Sequence, residues 1–394
     1  MSAAIETRER PKVSFWNDPR IRSGFVQFVL LLVVAVLFYE IAHNTYINLR
    51  DRNIASGFGF LTKTAGFDII QSLIPYSSGS NYGAAIVVGF LNTILVSILG
   101  IVAATILGFF MGVMRLSKNW IVSRLAASYI EFFRNVPLLL QIFIFYGVVL
   151  QPLPGPKQAL NLLDSWFLSN RGLMMPRPVF GDGAWLGFVG FIAAIVIAWV
   201  IARWARARQA ATGQPFPVLW TSLGLLVALP VIGFAIAGFP VTWDYPALTG
   251  FNFTGGITVT PELIALFLAL AFYTGTDIAE AVRAGIEAVS HGQTEAAHAL
   301  GLRNSSTLRL VIIPQALRVI IPPLASSYLS LTKNSSLAVA VGYPDLVATG
   351  GTVLNQTGQA IEIVGIWMVV YLSLSLLTSL FMNWFNARMK LVER

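Results

Sequence analysis

The chain has 394 residues, of which 56% are hydrophobic and only 11% are charged, a composition too apolar for a soluble protein of this length. Its formal net charge of +8 does not indicate nucleic-acid binding, because the basic residues are spread between apolar segments and do not gather in one domain. The absence of cysteine excludes disulfides, thiolate catalysis and zinc–cysteine sites. The sequence therefore predicts an all-α polytopic membrane protein.

Eight segments are apolar enough to cross a membrane as helices, a crossing that needs about 20 residues. They are residues 24–43, 84–114, 125–150, 184–202, 217–239, 262–283, 319–341 and 361–384. If the N-terminus is cytoplasmic, the segments on that side hold 18 of the 26 Lys and Arg residues, and the opposite loops hold six. Basic residues are retained on the cytoplasmic side, so both termini are expected there. The basic stretch 8–22 is interpreted as the flank of a retained first span and not as a cleaved signal peptide.

These segments divide the chain into four parts. They are an N-terminal cytoplasmic segment, first transmembrane helix and polar loop at 1–83, two spans at 84–150, a two-helix insertion at 151–260, and three spans at 261–394. The polar loop, at 44–83, is long enough for one or two surface helices packed beside the core. The insertion opens with three prolines and closes with a Gly- and Thr-rich run, so it is interpreted as an addition between two halves of a five-span core.

Glycine and proline predict local geometry within the spans. Gly108 and Gly112 in the second span would let another helix approach closely. Pro137 should kink or break the third span, because it lacks an amide donor and crowds the preceding turn. Pro322 and Pro323 should likewise disrupt the seventh span, with nearby Ser and Asn side chains satisfying the freed backbone groups.

The sixth span carries a polar stripe within an apolar helix. It should begin with Thr260 as the N-cap residue and Pro261 at the first helical position. The polar residues that follow, spaced on one face of an α-helix, are Tyr273, Thr276, Asp277, Glu280, Arg283 and Glu287. Charged groups are expensive in lipid, so this stripe is expected to line protein or water.

A short polar segment after the sixth span is predicted to form a cytoplasmic helix. Residues from Glu295 to Leu300 are good helix formers, and Gly301 stands where a left-handed residue would end the helix. Such a helix can bury little surface within its own chain. It is therefore expected to dock into a partner.

The same segment resembles the loop that couples the inner-membrane permeases of ATP-driven importers to their ATPase. The matching residues of the loop are Glu295-Ala296-Ala297, Gly301 and Val311-Ile312-Ile313-Pro314. Four further family motifs lie on either side of it, at Glu131–Gln141, Ile278–Ile286, Pro314–Pro323 and Leu331–Leu337. Together these motifs resemble the polar-amino-acid (HisM/HisQ-like) branch of the family, and the long insertion is similar to that of its general L-amino-acid, AapQ-type permeases. The resemblance covers roughly residues 84–150 and 261–390.

The resemblance implies a type I ABC importer permease core of five helices, with an N-terminal helix and a two-helix insertion, in the bacterial inner membrane and in contact with membrane lipid. In the loop 288–314, it implies that Glu295, Ala296, Ala297, Gly301 and Pro314 form the coupling site for an ABC ATPase subunit dimer. It also implies a periplasmic amino-acid-binding protein and a second membrane subunit, either a copy of this chain or a related permease. A heterodimer is expected, because the two permeases differ in the general L-amino-acid systems that the chain resembles. The chain has no G-x-x-x-x-G-K-[ST] loop, so ATP would be bound by a partner subunit and this chain would have neither a cofactor nor a catalytic residue.

Arg134 is the first candidate for substrate contact, because an ion at membrane depth is a functional candidate by default. Its planar guanidinium can hold a carboxylate through two hydrogen bonds. We expect Arg134 to bind the substrate α-carboxylate, with Asn135 and backbone groups near Pro137 adding polar contacts. The alternative is a salt bridge from Arg134 to Glu280 or Glu131 that fixes helix packing.

Glu280, Asp277 and Thr276 are the candidates on the sixth span. Glu280 matches a family motif and could hold the substrate ammonium or pair with Arg134. Asp277 departs from the family, which usually has an apolar or aromatic residue here; it could face the substrate, pair with Lys333 or Arg283, or remain protonated in an apolar setting.

A competing function is a stand-alone ion- or proton-coupled secondary transporter, in which Asp277, Glu280 and Arg134 would form a proton relay. No inverted repeat is visible in the sequence, and a polar cytoplasmic helix would have no role in such a protein. A metal site is not expected either, because His291, Glu295 and His298 lack the zincin spacing H-E-x-x-H.

Overall fold

A computed structural model describes residues 19–51 and 56–389. In this part of the chain the helices are α1 Pro19–Asp51, α2 Tyr82–Arg115, α3 Trp120–Asn135, α4 Leu138–Phe143, α5 Trp185–Thr212, α6 Val218–Ile236, α7 Pro261–Glu287, α8 His291–Ala299, α9 Asn304–Thr307, α10 Ile313–Asn334, α11 Leu346–Thr357 and α12 Ala360–Met389. The strands are β1 Leu160–Leu162, β2 Trp166–Ser169, β3 Gly172–Met175, β4 Arg177–Phe180, β5 Val241–Asp244, β6 Ala247–Thr249, β7 Asn252–Thr254 and β8 Ile257–Val259. Most of the predicted basic stretch at 8–22, and the C-terminal residues 390–394, lie outside the described residues.

Eight membrane crossings are compatible with the described helices. Seven single stretches are long and apolar enough to cross, at Arg22–Asn48, Tyr82–Arg115, Trp185–Thr212, Val218–Ile236, Pro261–Glu287, Asn304–Val341 and Ala360–Arg388. The bent pair Trp120–Asn135 and Leu138–Leu150 becomes the eighth if it is one span. The prediction of a polytopic all-α membrane protein with about eight spans is confirmed.

The centre of the fold is the pair α2 and α7, which pack along their lengths, with α10 and α11 packed around them and α12 outside. Gly108 and Gly112 on α2 lie against α7. A Cβ added at Gly108 would be only 2.6 Å from the Cβ of Ile278, and one at Gly112 would be 2.7 Å from the carbonyl oxygen of Ala279. The predicted close approach at these glycines is confirmed.

Replacing Gly108 with alanine should therefore destabilise the bundle, by about 1–3 kcal/mol, because an overpacked core must shift its backbone or its rotamers. The expected result is a lower midpoint of thermal unfolding for the purified chain in detergent. Gly365 on α12 is the matched control, because a Cβ there would meet open space and Gly365→Ala should raise helix stability slightly. Equal midpoints for the two variants would contradict the packing of α2 against α7.

The prolines behave differently in the third and seventh spans. At Pro137 the helix breaks as predicted, and the chain bends by 104° between the two helical pieces. At Pro322 and Pro323 the prediction of disruption is wrong, because both prolines lie within the continuous α10. A membrane helix can tolerate proline when neighbouring groups compensate the lost bonds. The α-helix ends at Asn334, and a 3₁₀ helix continues from Ser335 to Val341.

The loop after α1 contains less helix than predicted. Helix α1 continues to Asp51, and the described residues between it and α2 form only one 3₁₀ helix, Phe58–Thr62. Phe60 and Ala65 are buried in a cluster that also contains Tyr82 and Ile363. The loop therefore packs beside the core, as expected, but mostly as irregular backbone with bends and turns.

The insertion at 151–260 contains the two predicted helices, α5 and α6, which pack mainly on each other. It also contains strands that the sequence analysis did not predict. Four of them form an antiparallel sheet in the order β1-β2-β3-β8, and β4-β5 and β6-β7 each form a two-stranded antiparallel sheet. Strand β8 leads directly into Thr260, the N-cap residue of α7.

Candidate functional site

A polar cleft of about 480 Å³ lies between the end of α2, helix α3 and helix α7. Its lining residues are Arg115, Ala127, Ile130, Glu131, Arg134, Asn135, Glu280 and Arg283. The structure thus brings together three of the predicted substrate residues, Arg134, Asn135 and Glu280. The other two, Thr276 and Asp277, do not line this cleft.

Arg134 lies at the C-terminal end of α3, immediately before the break at Pro137. Its side chain is exposed, and it forms no ion pair with Glu280 or Glu131, or with any other residue that the structure describes. The packing salt bridge, which was the alternative to substrate binding, is therefore absent among the described residues. Its guanidinium is left available to an anion that enters the cleft.

Glu280 is paired within its own helix. One oxygen of Glu280 accepts hydrogen bonds from Nε and Nη2 of Arg283, at 3.1 and 2.9 Å. Nη1 of the same arginine lies 2.6 Å from Glu287. Residues three and four apart face each other on a helix, so Arg283 forms salt bridges with both carboxylates of its own helix, without a partner from α3.

Asp277 and Thr276 are adjacent in sequence but have different surroundings. Asp277 on α7 is exposed. The positive charge of Arg134 on α3 attracts its carboxylate without a salt-bridge contact. Among the described residues, neither Lys333 nor Arg283 forms a salt bridge with it. Thr276 is 1% exposed, and its hydroxyl donates to the carbonyl of Tyr273 at 2.7 Å. Thr276 therefore belongs to the helix packing in this conformation.

Gln141 stabilises the helix break at Pro137 by hydrogen bonds to backbone carbonyls. This role was not predicted from the sequence. Proline has no amide hydrogen to donate to the carbonyl of Phe133, four residues before it. The Nε2 of Gln141 donates to that carbonyl at 2.7 Å, and to the carbonyl of Val136 at 2.8 Å. Gln141 is 2% exposed. The freed backbone groups that we expected to contact substrate already have a protein partner, and only the proline four residues earlier could have signalled this role.

Aromatic packing sets the position of α3, and hence of Arg134, against α7. Tyr129 donates a hydrogen bond to the carbonyl of Phe272 at 2.8 Å. The rings of Phe133 and Phe272 have centroids 4.9 Å apart, within the range of favourable aromatic pairs. Because Phe133 immediately precedes Arg134, these contacts hold the guanidinium at the cleft.

The polar helix predicted after the sixth span is present as α8, and its C-terminal end has the predicted geometry. Gly301 has a φ of +74°, in the left-handed region that glycine adopts without a steric cost. Its amide donates to the carbonyl of His298 at 2.8 Å, and the amide of Leu302 donates to Ala297 at 3.1 Å. This pair of bonds is a Schellman motif, which ends the helix sharply.

Helix α8 has one buried residue and an otherwise open surface. Ala297 is 4% exposed and faces the protein, whereas Glu295 and Ala296 are exposed. The helix rests on the π-helical turn Leu308–Ile312, which precedes Pro314 at the start of α10. Gln315 also donates to the side chain of Gln293 at 3.3 Å. A force on the exposed face of α8 would thus be transmitted to α10.

Comparisons with known proteins agree with these features. Residues 194–391 match the model of a family described as binding-protein-dependent transport system inner membrane component. The chain is 56% identical to the general L-amino acid transport system permease protein AapQ of Rhizobium johnstonii, over 96% of this chain and 94% of that protein. It is 52% identical to a putative amino-acid ABC transporter permease protein, YhdX, of Escherichia coli, with 97% of each chain covered. It is 43% identical to the glutamate/glutamine/aspartate/asparagine transport system permease protein BztB of Rhodobacter capsulatus, with 96% of each covered.

Proposed function

Since this chain belongs to the family of binding-protein-dependent transport system inner membrane components, we propose that it moves L-amino acids across the bacterial inner membrane as one permease subunit of an ATP-driven importer. The observation that carries this proposal is the exposed helix α8, closed by Gly301 and resting on the segment that leads into α10. A polar helix with this exposure needs a partner surface. An ABC ATPase dimer is the partner that we assign to it.

In this proposal Arg134 binds the α-carboxylate of the substrate. Its guanidinium lines the cleft and has no ion-pair partner among the described residues, and an arginine can hold a carboxylate through two charge-assisted hydrogen bonds. Asn135 lines the same cleft, and its side-chain nitrogen donates to the carbonyl of Glu131 at 2.8 Å. The substrate ammonium would then compete with Arg283 for Glu280.

Transport would follow alternating access. ATP binding closes the ATPase dimer, α8 moves with it, and α10 transmits the movement to α7 and α12, against which it packs. A periplasmic amino-acid-binding protein delivers the substrate to the end of the bundle opposite α8. A second, related permease supplies the other coupling helix, and both termini of this chain lie on the cytoplasmic side.

Uptake of radiolabelled amino acids into proteoliposomes tests this proposal. We expect uptake to require ATP, the candidate ATPase, a second permease and the binding protein, and to cease when any of them is omitted. The matched control is a set of liposomes that contain this chain alone with an imposed proton gradient. Gradient-driven uptake by the chain alone, insensitive to ATP, would overturn the proposal in favour of a secondary transporter.

A further inference from the structure

The end of helix α5 that lies away from the strands carries a cluster of arginines, at Arg203, Arg206 and Arg208. No acidic residue occurs in the sequence between Asp182 and Asp244. None of the three arginines forms a salt bridge with a residue that the structure describes. This end of the insertion therefore presents a positive charge that no described carboxylate balances, and it is separate from the cleft between α3 and α7.

The cluster lies at the depth of a membrane surface. Helix α5 begins at Trp185, close after strand β4. At about 1.5 Å per residue, the helix from Trp185 to Arg203 is about 27 Å long, which is close to the roughly 30 Å thickness of the hydrocarbon core. Helix α7 likewise begins beside the strands, directly after β8, and runs towards α8. The arginines and α8 are therefore on the same side of the membrane.

Two of the three arginines lie on the face of α5 that points away from α6. Gly190 marks the opposite face, because a Cβ there would be 2.5 Å from the carbonyl oxygen of Leu229 on α6. With 3.6 residues per turn, Arg208 falls on the same face as Gly190, whereas Arg203 and Arg206 lie roughly 140° and 160° around the helix from it. Arg203 and Arg206 therefore point towards the surroundings of the α5–α6 pair.

Both of these guanidinium groups are oriented by their own helix. The Cζ of Arg203 lies 4.4 Å from the ring centroid of Trp199, a cation–π arrangement that leaves the N–H groups at the edge of the guanidinium free to donate. The Nε of Arg206 donates to the carbonyl of Ala202 at 3.0 Å. Its two terminal nitrogens make no hydrogen bond with a described residue. The pair can thus donate several charge-assisted hydrogen bonds to the oxygens of one phosphate.

An apolar stripe continues from the arginines along the same face. Ile192, Val196, Trp199 and Arg203 follow the i, i+4, i+7 and i+11 spacing of one helix face. The side chains of the three apolar residues are 54–62% exposed. We call these four residues and Arg206 the outer face of α5. Its chemistry, cationic at one end and apolar along the rest, matches an anionic head group joined to a hydrocarbon chain.

We propose that the outer face of α5 holds one anionic phospholipid, in the leaflet on the α8 side. Its phosphate binds Arg203 and Arg206, and an acyl chain lies along Val196 and Ile192. Helices α5 and α6 pack mainly on each other, so this lipid contacts a part of the insertion that few other elements cover. The competing explanation is the general attraction of anionic lipids to basic residues near a membrane surface, which depends on net charge and not on these two positions.

The absence of cysteine from the chain allows a single fluorophore to report on this face. Val196→Cys, labelled with a nitrobenzoxadiazole group, is reconstituted as the full-length chain in nanodiscs. The measurement is quenching by phosphatidylglycerol or phosphatidylcholine that carries a nitroxide on the same acyl-chain carbon, each as a minor component. Phosphatidylglycerol should quench several-fold more strongly. A label at Val227→Cys, 66% exposed on α6 at a similar depth, should be quenched equally by both lipids.

Second substitutions in the Val196→Cys background distinguish a lipid site from an effect of net charge. Arg203→Gln with Arg206→Gln should make the two lipids equal as quenchers. Lysine at both positions should restore the preference in part, because it keeps the charge but loses the planar fork of donors. The matched control is Arg208→Gln with Arg171→Gln, which removes the same charge from the α6-facing side of α5 and from the exposed turn between β2 and β3. It should keep the full preference.

Equal quenching by the two lipids in the parent chain would overturn the inference. A preference that survives the double glutamine variant, or that is lost in the matched control, would also overturn it in favour of a net-charge effect. If the double glutamine variant changes quenching of the Val227→Cys label by phosphatidylcholine, the two arginines act in folding and the lipid site is rejected. None of these measurements involves ATP or uptake, so they are independent of the proposed function.

Discussion

Glu295→Arg is expected to abolish ATP-dependent uptake, and Gly301→Asp to reduce it by roughly 5- to 30-fold, while the membrane spans remain folded. Glu295 lies on the exposed face of α8, so an arginine there places a reversed charge directly in the proposed ATPase contact. Wrong-sign charges across an interface cost several kcal/mol, which corresponds to a loss of about 100-fold or more in rate. At Gly301 the substitution acts through the backbone. Gly301 has a φ of +74°, and a residue with a side chain is strained by about 1–2 kcal/mol in this left-handed conformation.

The measurements are uptake and ATP hydrolysis by the reconstituted complex, together with binding of the ATPase to the membrane subunits. Gly358→Asp is a matched control, because Gly358 has a φ of +71°, open space around it, and a position at the end of α11 and not at α8. Asp182→Arg repeats the charge reversal at an exposed residue of the insertion. Normal uptake in both α8 variants would exclude α8 as the coupling helix.

Arg134→Ala is expected to reduce uptake by about 100-fold, since hydrogen bonds to a charged group contribute roughly 1.5–3 kcal/mol. Arg134 makes no ion pair among the described residues, so its removal breaks no salt bridge and the complex should assemble normally. Arg134→Lys should retain part of the activity, because lysine keeps the charge but cannot form the two-pronged contact. The kinetics of uptake and the elution of the complex in size-exclusion chromatography report these two effects separately.

Arg208→Ala is the control for this experiment, because Arg208 stacks on Trp204 in the insertion, at 5.4 Å from the ring centroid. This substitution removes the same type of side chain at a position outside the cleft. If Arg134→Ala transports at the normal rate, Arg134 does not bind substrate. If the protein fails to accumulate, Arg134 acts instead in folding.

Several local features could be read from the sequence because they depend on neighbouring residues alone. The start of α7 at Thr260 and Pro261, the end of α8 at Gly301 and the break at Pro137 all follow from backbone geometry and missing donors. Close packing at Gly108 was also predictable, because small residues recur where membrane helices meet. The same rules failed at Pro322, where the surrounding bundle keeps α10 intact.

Features of the candidate site that involve distant residues could not be predicted. The spacing on α7 grouped Thr276 with Asp277, yet packing buries the first and exposes the second. The sequence offered Arg134 as a partner for Glu280, whereas in the structure Glu280 pairs with Arg283 of the same helix. The strands of the insertion are only three or four residues long, too short for an alternating pattern to be distinguished from a loop.

The sequence by itself determined the class of the protein, the approximate positions of its spans and the presence of a capped polar helix at α8. Apolar length, helical spacing and the stereochemistry of glycine and proline are properties of single segments, so no neighbour is needed to read them. Only the tertiary structure decided that Arg134 faces a cleft without an ion-pair partner among the described residues, and that Asn92 ties the loop before α2 to the loop before α11. These arrangements join residues far apart in the chain, and which groups meet there is set by the packing of whole helices.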